Sequence, residues 1–386
     1  MGPWLTVASV AAAWCALAGG CSGPGGGSAE RVGGEVEAGP AAASARALFR
    51  EAAGVVSRHA LGGERVDWVL VERELVPGVA ERGPPAGAYP AIVALLERLG
   101  DPHVALIPAP SGPGTGASGE SGPTGGGGDP PRPAIPEAPV GRMLEGGVGY
   151  LLMPGCSAAD VDGLRRYATA ARGEISRLDG AGARGWVIDL RLNGGGNLWP
   201  MLLGLAPLLG EGPAMATVAG AAGDGGEVVS RYGVSRGQGA WIDWGHGPET
   251  QLAMADGVSE GEWVGAGVGG PVAVVLGPWT MSSGEALAVS LVSRRGARTF
   301  GEPTAGLTTV TNWYPLSDGS VLVLPVSRMA GLDGAAVSGR LMPGVPAAFE
   351  GWPGESDPAS EAARRWVVEK IVDGHGGAGG GGGDEG

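Results

Sequence analysis

Two adjacent serines, Ser282 and Ser283, stand where a strand would pass into a helix, and a serine on such a turn could act as a nucleophile. The apolar run from Val272 to Leu276 is short and rich in valine, which predicts a buried strand. Helical spacing of apolar residues begins after Glu285, and a helix N-terminus offers unpaired N–H groups and a partial positive charge to a developing anion. The competing interpretation is a helix cap, with Glu285 completing a capping box.

A second candidate is the glycine run Gly194 to Gly196, which follows the apolar segment Gly185 to Leu190 and precedes an apolar helix predicted from Leu198 to Leu209. Together with the apolar segment Gly147 to Met153 and the amphipathic helix predicted from Val161 to Leu178, this order predicts parallel strands joined by a right-handed crossover. Glycines at the carboxyl end of such a strand let backbone N–H groups approach a ligand closely. The run lacks the spacing and the Lys-Ser/Thr ending of nucleotide-binding loops, which disfavours nucleotide binding.

Three short helices are predicted before the glycine-rich middle of the chain, over Ala42 to His59, Val66 to Val79 and Tyr89 to Leu99. They form an N-terminal helical subdomain. His103 follows the last of them at the start of an alternating apolar run. A lone histidine in such a place is usually structural, although an imidazole titrates near neutrality and can serve as a general base.

Composition restricts the classes of partner. The chain has 386 residues, a net charge of −14 and an isoelectric point near 4.8. An acidic chain without a basic cluster argues against nucleic acid as a partner. Many of the 78 glycines fall in runs that need not fold, as does the Pro, Gly and Ser segment from Pro108 to Pro139.

The first residues are typical of an export signal. Leu5 to Leu17 is apolar and too short to span a bilayer. The sequence that leads to Cys21 is similar to a bacterial lipobox, which predicts a lipid-anchored protein of the cell envelope, at its periplasmic or outer surface. The alternative is an ordinary secretory signal with a chance cysteine, since no Lys or Arg precedes the apolar run.

The predicted organisation is therefore a signal peptide over 1–20, a tether over 21–41, the helical subdomain over 42–107, a linker over 108–142, an α/β core over 143–373 and a disordered tail over 374–386. Within the core, the segment 210–261 has scattered aromatic residues and glycines without clear periodicity, which leaves its structure open. Two strands around the turn Ser317-Asp318-Gly319 and a closing helix from Glu361 to Val372 complete the prediction.

Five blocks carry a resemblance to a known family. DPHVAL, GVGYLLM, GWVIDLRLNGGGN, GPWTMSSGEA and FGEPTAGLTT occur in the order seen in the tail-specific (C-terminal-processing) proteases, including their tricorn-core-like and retinoid-binding-protein-like branches. The resemblance implies a crotonase-like (ClpP-like) α/β spiral core and a serine peptidase that acts on peptides or unfolded protein without a cofactor or a metal. It places the nucleophile on Ser282, the oxyanion donors on the backbone N–H groups of Ser283 and of Gly194 or Gly195, and the general base on His103.

The sequence departs from this pattern at three places. The lysine of the Ser–Lys dyad is replaced by Leu307, and the chain's single lysine is Lys370. The Gly/Pro linker occupies the interval in which the family carries a PDZ module. The late glutamate of the histidine-based branch is absent, which leaves Glu285 and Glu302 as candidate orienting acids. An inactive family member that binds peptide or an apolar ligand in the same cleft is the alternative function.

Overall fold

The computed structural model describes residues 44–81, 83–110, 135–158, 160–220, 227–236, 238–253, 268–349 and 357–376. The predicted signal peptide, the tether with Cys21, most of the linker and residues 377–386 lie outside this part of the chain. The chain divides into two compact units. Described residues of the first are 44–110 and 311–326, and those of the second are 135–310 and 327–376, with the gaps given above.

The helices are α1 (Ala45–His59), α2 (Trp68–Glu74), α3 (Tyr89–Glu97), α4 (Val161–Gly180), α5 (Leu198–Gly204), α6 (Ala206–Leu209), α7 (Ser283–Arg295) and α8 (Pro358–Gly376). The strands are β1 (Ala105–Ile107), β2 (Val140–Leu144), β3 (Val148–Leu152), β4 (Gly185–Asp189), β5 (Gly212–Val218), β6 (Val228–Ser235), β7 (Gly239–Asp243), β8 (Pro248–Leu252), β9 (Val272–Leu276), β10 (Arg298–Gly301), β11 (Thr309–Pro315), β12 (Val321–Ala330) and β13 (Val345–Pro346).

The first unit contains the three predicted helices. Ser44 and Asp67 cap α1 and α2 by accepting hydrogen bonds from the backbone N–H groups of Ala47 and Leu70. The apolar positions that recur at helical spacing form one buried cluster: Leu48, Phe49, Ala52, Val55, Val56, Ile92, Leu95 and Leu96. Because each helix buries one face, the N-terminal segment has a core of its own.

Residues 311–326, which lie inside the segment predicted as the α/β core, complete this first unit. Leu316, Leu322 and Leu324 belong to the same buried cluster as the helices. The predicted hairpin is present, with the N–H of Leu316 bonded to the carbonyl of Ser320 and Gly319 at a φ of 87°. In addition, β1 pairs antiparallel with the first residues of β12.

The second unit is built on a sheet with the strand order β13-β10-β9-β4-β3-β2. All neighbours in it are parallel except β2, which runs antiparallel to β3. The expected parallel pairing of β3 and β4 is therefore confirmed, with α4 between them in the chain.

Helices cover both faces of this sheet. Trp186 and Ile188 of β4 pack in one core with α4, α5, α6 and α7, whereas Val187 packs in another core with α8. A strand buried on both faces needs apolar side chains at successive positions, which is why the central strands appear in the sequence as continuous apolar runs.

Segment 210–261, left open by the sequence, forms strands in its described part. β5, β6, β7 and β8 make an antiparallel series, and the end of β12 pairs with β5. A glycine interrupts the alternating pattern expected of a strand. Gly233 lies inside β6, where an added Cβ would come within 2.4 Å of the Trp241 ring. The strand thus depends on a residue type that in sequence favours loops.

Three predicted helices also have different bounds. The helix predicted over 66–79 ends at Glu74, and a separate 3₁₀ turn follows at Val76–Gly78. The run predicted as one helix over 198–209 is divided between α5 and α6, where Pro207 opens a new turn. The closing helix continues to Gly376, three residues into the segment assigned to the tail. Within the described residues, no helix has the length and apolar character needed to cross a bilayer.

Candidate active site

The turn that carries Ser282 has an unusual backbone. Ser282 lies between β9 and α7 with φ 49° and ψ −115°, and among the described residues it alone combines a side chain with a positive φ. Holding an L-residue in such a region costs about 1–3 kcal/mol, and such strain persists only where the surroundings enforce it. Strained strand-to-helix turns of this kind expose the nucleophilic serine in other hydrolases.

Hydrogen bonds on the strand side fix the approach to this turn. The Thr280 hydroxyl donates to the carbonyl of Leu190 at 2.9 Å and accepts from the N–H of Gly277 at 3.1 Å. The N–H of Met281 donates to the carbonyl of Asn193 at 2.9 Å. The turn is thereby fastened to the segment that follows β4.

Glu285 fastens the turn from the helix side. Its Oε2 accepts the backbone N–H of Ser282 at 3.0 Å, which is the glutamate half of the expected capping box. Its Oε1 accepts the hydroxyl of Thr304 and, at 2.9 Å, the N–H of Gly306. Burial raises the pKa of the Glu285 carboxyl, although these hydrogen bonds act in the opposite direction. The carboxylate joins the serine turn to the loop that leads to Leu307.

The glycine run forms the opposite wall of the site. Gly195 has a φ of 94°, and a Cβ there would lie 3.0 Å from Cβ of Ser282 and 3.4 Å from the N atom of Ser283. Only glycine suits a position that combines this φ with so close an approach. The two segments chosen from the sequence, 194–196 and 282–285, are brought together.

Backbone N–H groups at this junction differ in their partners. The N–H of Gly195 donates to Asn193 Oδ1 at 3.1 Å. In the described part of the chain, the N–H groups of Gly194 and Ser283 have no intramolecular acceptor. Ser283 is the first residue of α7, where unpaired N–H groups and the helix dipole favour an anion. Each of the two segments that meet at Ser282 therefore has a backbone N–H group without an acceptor among the described residues.

Asn193, which was not among the residues predicted from the sequence, organises the glycine run. Its amide nitrogen donates to the carbonyls of Met153 and Pro154 at 3.1 and 3.3 Å, while its side-chain oxygen accepts from Gly195. An added Cβ at Gly284 would lie 2.6 Å from the Asn193 carbonyl oxygen. The signal was an amide side chain at the carboxyl end of a parallel strand, where loops carry function.

A buried ionic network anchors the same strand end. Arg191 is fully buried, and its guanidinium contacts Asp189 at 2.6 Å and Asp357 at 2.8 Å. It also donates to the Ser360 hydroxyl at 2.8 Å, and the Tyr150 hydroxyl donates to Asp189 at 2.8 Å. Since buried charges are tolerated only when paired, this network fixes the direction of the chain two residues before Asn193.

His103, the predicted base, lies in the first unit, just before β1. It is 8% exposed, and its backbone N–H donates to Asp101 Oδ1 at 2.8 Å. The other histidines have different surroundings. His59 stacks on Tyr314 with ring centroids 4.8 Å apart, and the exposed His246 lies 3.8 Å from Glu249. His375 is in the last turn of α8.

Three other residues were singled out in the sequence: Glu302, Leu307 and Lys370. Glu302 donates its N–H to the Leu276 carbonyl and accepts the N–H of Phe349 at 2.8 Å, so its carboxylate has a structural contact. Leu307 is buried at 9% exposure, and Lys370 lies 3.0 Å from Asp373 on α8. Within the described residues, no group of three or more His, Cys, Asp or Glu side chains could hold a metal ion.

Comparison with known proteins identifies relatives of this arrangement. Residues 147–346, more than half of the chain, match the model of peptidase family S41. A lipoprotein from Streptococcus agalactiae has a similar structure, with a TM-score of 0.56 and 17% identity over 84% of this chain and 96% of that chain. The photosystem II D1 C-terminal processing protease gives a TM-score of 0.51 and 19% identity over 85% of this chain and 98% of that chain. Among curated proteins, the sequence comparison finds no match.

The likeness to these structures and the family match agree with the fold expected from the sequence. The crotonase-like α/β core with an N-terminal helical subdomain is confirmed.

Proposed function

This chain belongs to peptidase family S41 and is a serine-type peptidase, and from that premise we propose that it cleaves peptides or unstructured protein segments through an acyl-enzyme on Ser282. The observation that carries the proposal is the strained backbone of Ser282 beside the unpaired N–H of Ser283. Strain of this kind clusters at functional sites, and a turn with only a capping role has no need of it.

The proposed chemistry follows from this geometry. Ser282 Oγ attacks the peptide carbonyl carbon as its proton passes to the base, and the carbonyl oxygen becomes an oxyanion. The N–H groups of Ser283 and Gly194 donate to that oxygen. We assign the second donor to Gly194 because the N–H of Gly195 already binds Asn193. The amine leaves with the proton from the base, and water then releases the acyl group.

We assign the base to His103. Leu307 occupies the position of the family's dyad lysine and cannot accept a proton, while Lys370 is paired on α8. An imidazole that titrates near neutrality can take the serine proton and return it to the leaving amine. Glu285 is assigned to the turn, since its two oxygens bind Ser282, Thr304 and Gly306.

The decisive assay combines hydrolysis of an unstructured peptide with labelling by a fluorophosphonate, which reacts with an activated serine. Ser282→Ala and His103→Ala should each abolish both, and the double variant should be no less active than either single one, since the two groups act in one step. His246→Ala is the matched control and should keep full activity, because this exposed histidine lies on a hairpin.

Two other results would lead to a different conclusion. Retained hydrolysis in His103→Ala would exclude His103 as the base. A wild-type protein that neither cleaves nor labels, together with a Leu307→Lys variant that does both, would favour the inactive member that binds peptide or an apolar ligand.

We further propose export and a lipid anchor on Cys21, with no nucleic acid partner and with the membrane contacted through that anchor. The apolar segment before Cys21 supports this location, as does the description of the similar Streptococcus agalactiae protein as a lipoprotein. Metabolic labelling with a fatty-acid analogue should mark the protein, and Cys21→Ser should remove the mark. Labelling that survives the substitution would exclude Cys21 as the acylated residue.

A further inference from the structure

The hydroxyl of the second serine has a partner of its own. Ser283 Oγ donates to the carbonyl oxygen of Gly196 at 2.6 Å, across 87 positions of sequence. This bond joins the first residue of α7 to the last glycine of the run. We propose that Ser283 is a positioning residue, whose side chain holds the glycine run at the separation that the oxyanion site requires. Its catalytic consequence rests on the function proposed above.

The glycine run needs an external restraint. Gly195 and Gly196 have φ values of 94° and 106°, and neither has a side chain that could pack. Glycine gives the unfolded and loosened states more conformational freedom than any other residue. A loop with two such positions keeps one geometry only if hydrogen bonds hold its peptide groups.

Most of those bonds lead away from the serine turn. The carbonyl of Gly195 accepts from the N–H of Cys156 at 3.0 Å, and the N–H of Asn197 donates to the Cys156 carbonyl at 2.8 Å. The N–H of Gly195 donates to the side chain of Asn193, the residue just before the run. These contacts align the run with the chain that follows β3, but they do not set its distance from Ser282.

Two hydrogen bonds between described residues join the serine turn to the glycine run and to the residue just before it. One links the Met281 N–H to the Asn193 carbonyl at 2.9 Å, before the glycines begin. The other is the Ser283 to Gly196 bond, after the central glycine. Gly194 and Gly195 lie between the two attachment points. Removal of the second bond leaves the run fastened to the turn at one end only.

The same contact separates the roles of the two serines. The proton of Ser283 Oγ is directed at a peptide carbonyl, which is not a base, and the residue lies within the helix. Ser282 carries the positive φ, whereas Ser283 does not. Ser283 therefore contributes its backbone N–H to one side of the oxyanion site and fixes the other side with its side chain.

The test compares Ser283→Ala, Ser283→Thr and a matched control, Ser290→Ala, in the full chain. The Ser290 hydroxyl also donates to a carbonyl, that of Ala286 at 2.8 Å, but inside α7 and away from the glycine run. Amide hydrogen exchange of the segment 194–197 reports the restraint, and kcat and KM for an unstructured peptide report its effect on catalysis.

Ser283→Ala should exchange faster at 194–197 and lose roughly tenfold in kcat, which is the rate equivalent of one net hydrogen bond, with KM nearly unchanged. A loss of this kind acts on the transition state, because the oxyanion exists only there. Ser283→Thr keeps the hydroxyl and should restore both readouts, and Ser290→Ala should change neither.

Unchanged exchange at 194–197 in Ser283→Ala would overturn the proposal whatever the activity. Faster exchange with an unchanged kcat would overturn the positioning role. A wild-type chain that neither cleaves the peptide nor reacts with fluorophosphonate would refute the proposed peptidase mechanism instead. In that case the exchange data alone decide whether the restraint exists.

Discussion

Replacing Ser282 by glycine should leave a more stable protein than replacing it by alanine. Both substitutions remove the hydroxyl, so in the folded state they differ only in whether a residue with a Cβ must adopt φ 49° and ψ −115°. The strain at such a position is worth about 1–3 kcal/mol. Against this stands the greater conformational entropy of glycine in the unfolded chain, about 0.5–1 kcal/mol relative to alanine. We expect Ser282→Gly to exceed Ser282→Ala by about 1 kcal/mol in free energy of unfolding.

A matched pair in the same helix should give the opposite order. Ser293 lies within α7 and has no positive φ. Ser293→Ala should therefore be more stable than Ser293→Gly by about 1 kcal/mol, the ordinary difference in helix propensity. The sign of the glycine-minus-alanine difference, rather than its size, identifies the strained position.

Urea denaturation followed by circular dichroism measures both pairs. With a slope of about 1–3 kcal/mol per molar urea, a difference of 1 kcal/mol moves the midpoint by roughly 0.3–1 M. Equal midpoints for the two Ser282 variants, or a higher midpoint for Ser282→Ala, would refute the strain at this turn and remove the observation on which the proposed nucleophile rests.

Two further predictions concern the supports of the site. Arg191→Met should lower the free energy of unfolding by about 3–5 kcal/mol, since it leaves Asp189 and Asp357 buried without their cation. As a control, Arg177→Met breaks the exposed ion pair with Glu174 and should lower the free energy of unfolding by less than about 1 kcal/mol. Equal losses in the two variants would contradict the importance of burial for the Arg191 network. The raised pKa of Glu285 means that the native state holds this proton more tightly than the unfolded state, so wild-type stability should decrease relative to Glu285→Gln as the pH rises from 4.5 through the folded pKa. Denaturation across that pH range measures the free energy of unfolding of the wild type minus that of Glu285→Gln. A difference that stays constant or increases with pH would refute the raised pKa of Glu285.

The parts of the fold that could be predicted from the sequence are those whose burial or local geometry is set by adjacent residues. Strands such as β4 and β9 are buried on both faces, so their side chains are apolar except for Asp189 at the end of β4, which is paired with Arg191. Helix α4 buries a single face, so its apolar residues recur at helical spacing. Turns whose geometry depends on adjacent residues alone, such as the hairpin at Ser317 to Gly319, could also be predicted from the sequence.

Features that depend on contacts between residues far apart in the chain could not be predicted from the sequence. Gly233 belongs to a strand because the Trp241 ring fills the space beside it, which a local window does not reveal. Residues 311–326 complete the core of the N-terminal helices although more than 200 positions separate them, as in the hydrogen bond from Tyr89 to Asp318 across 229 positions. The positive φ of Ser282 depends likewise on bonds to Asn193, Thr304 and Gly306, and only the structure brings these together.

The contacts of Glu285 bear on the absent dyad lysine. The loop before Leu307 remains fastened to the serine turn, through the bonds from Thr304 and Gly306 to the buried carboxylate. Keeping this carboxylate buried and Ser282 strained both cost free energy, whereas a cleft that only binds ligands needs neither. In the proposed mechanism, Leu307 therefore changes which group accepts the proton and leaves the backbone geometry of Ser282 intact. This is the physical reason to seek the base elsewhere in the chain, at His103, before concluding that the enzyme is inactive.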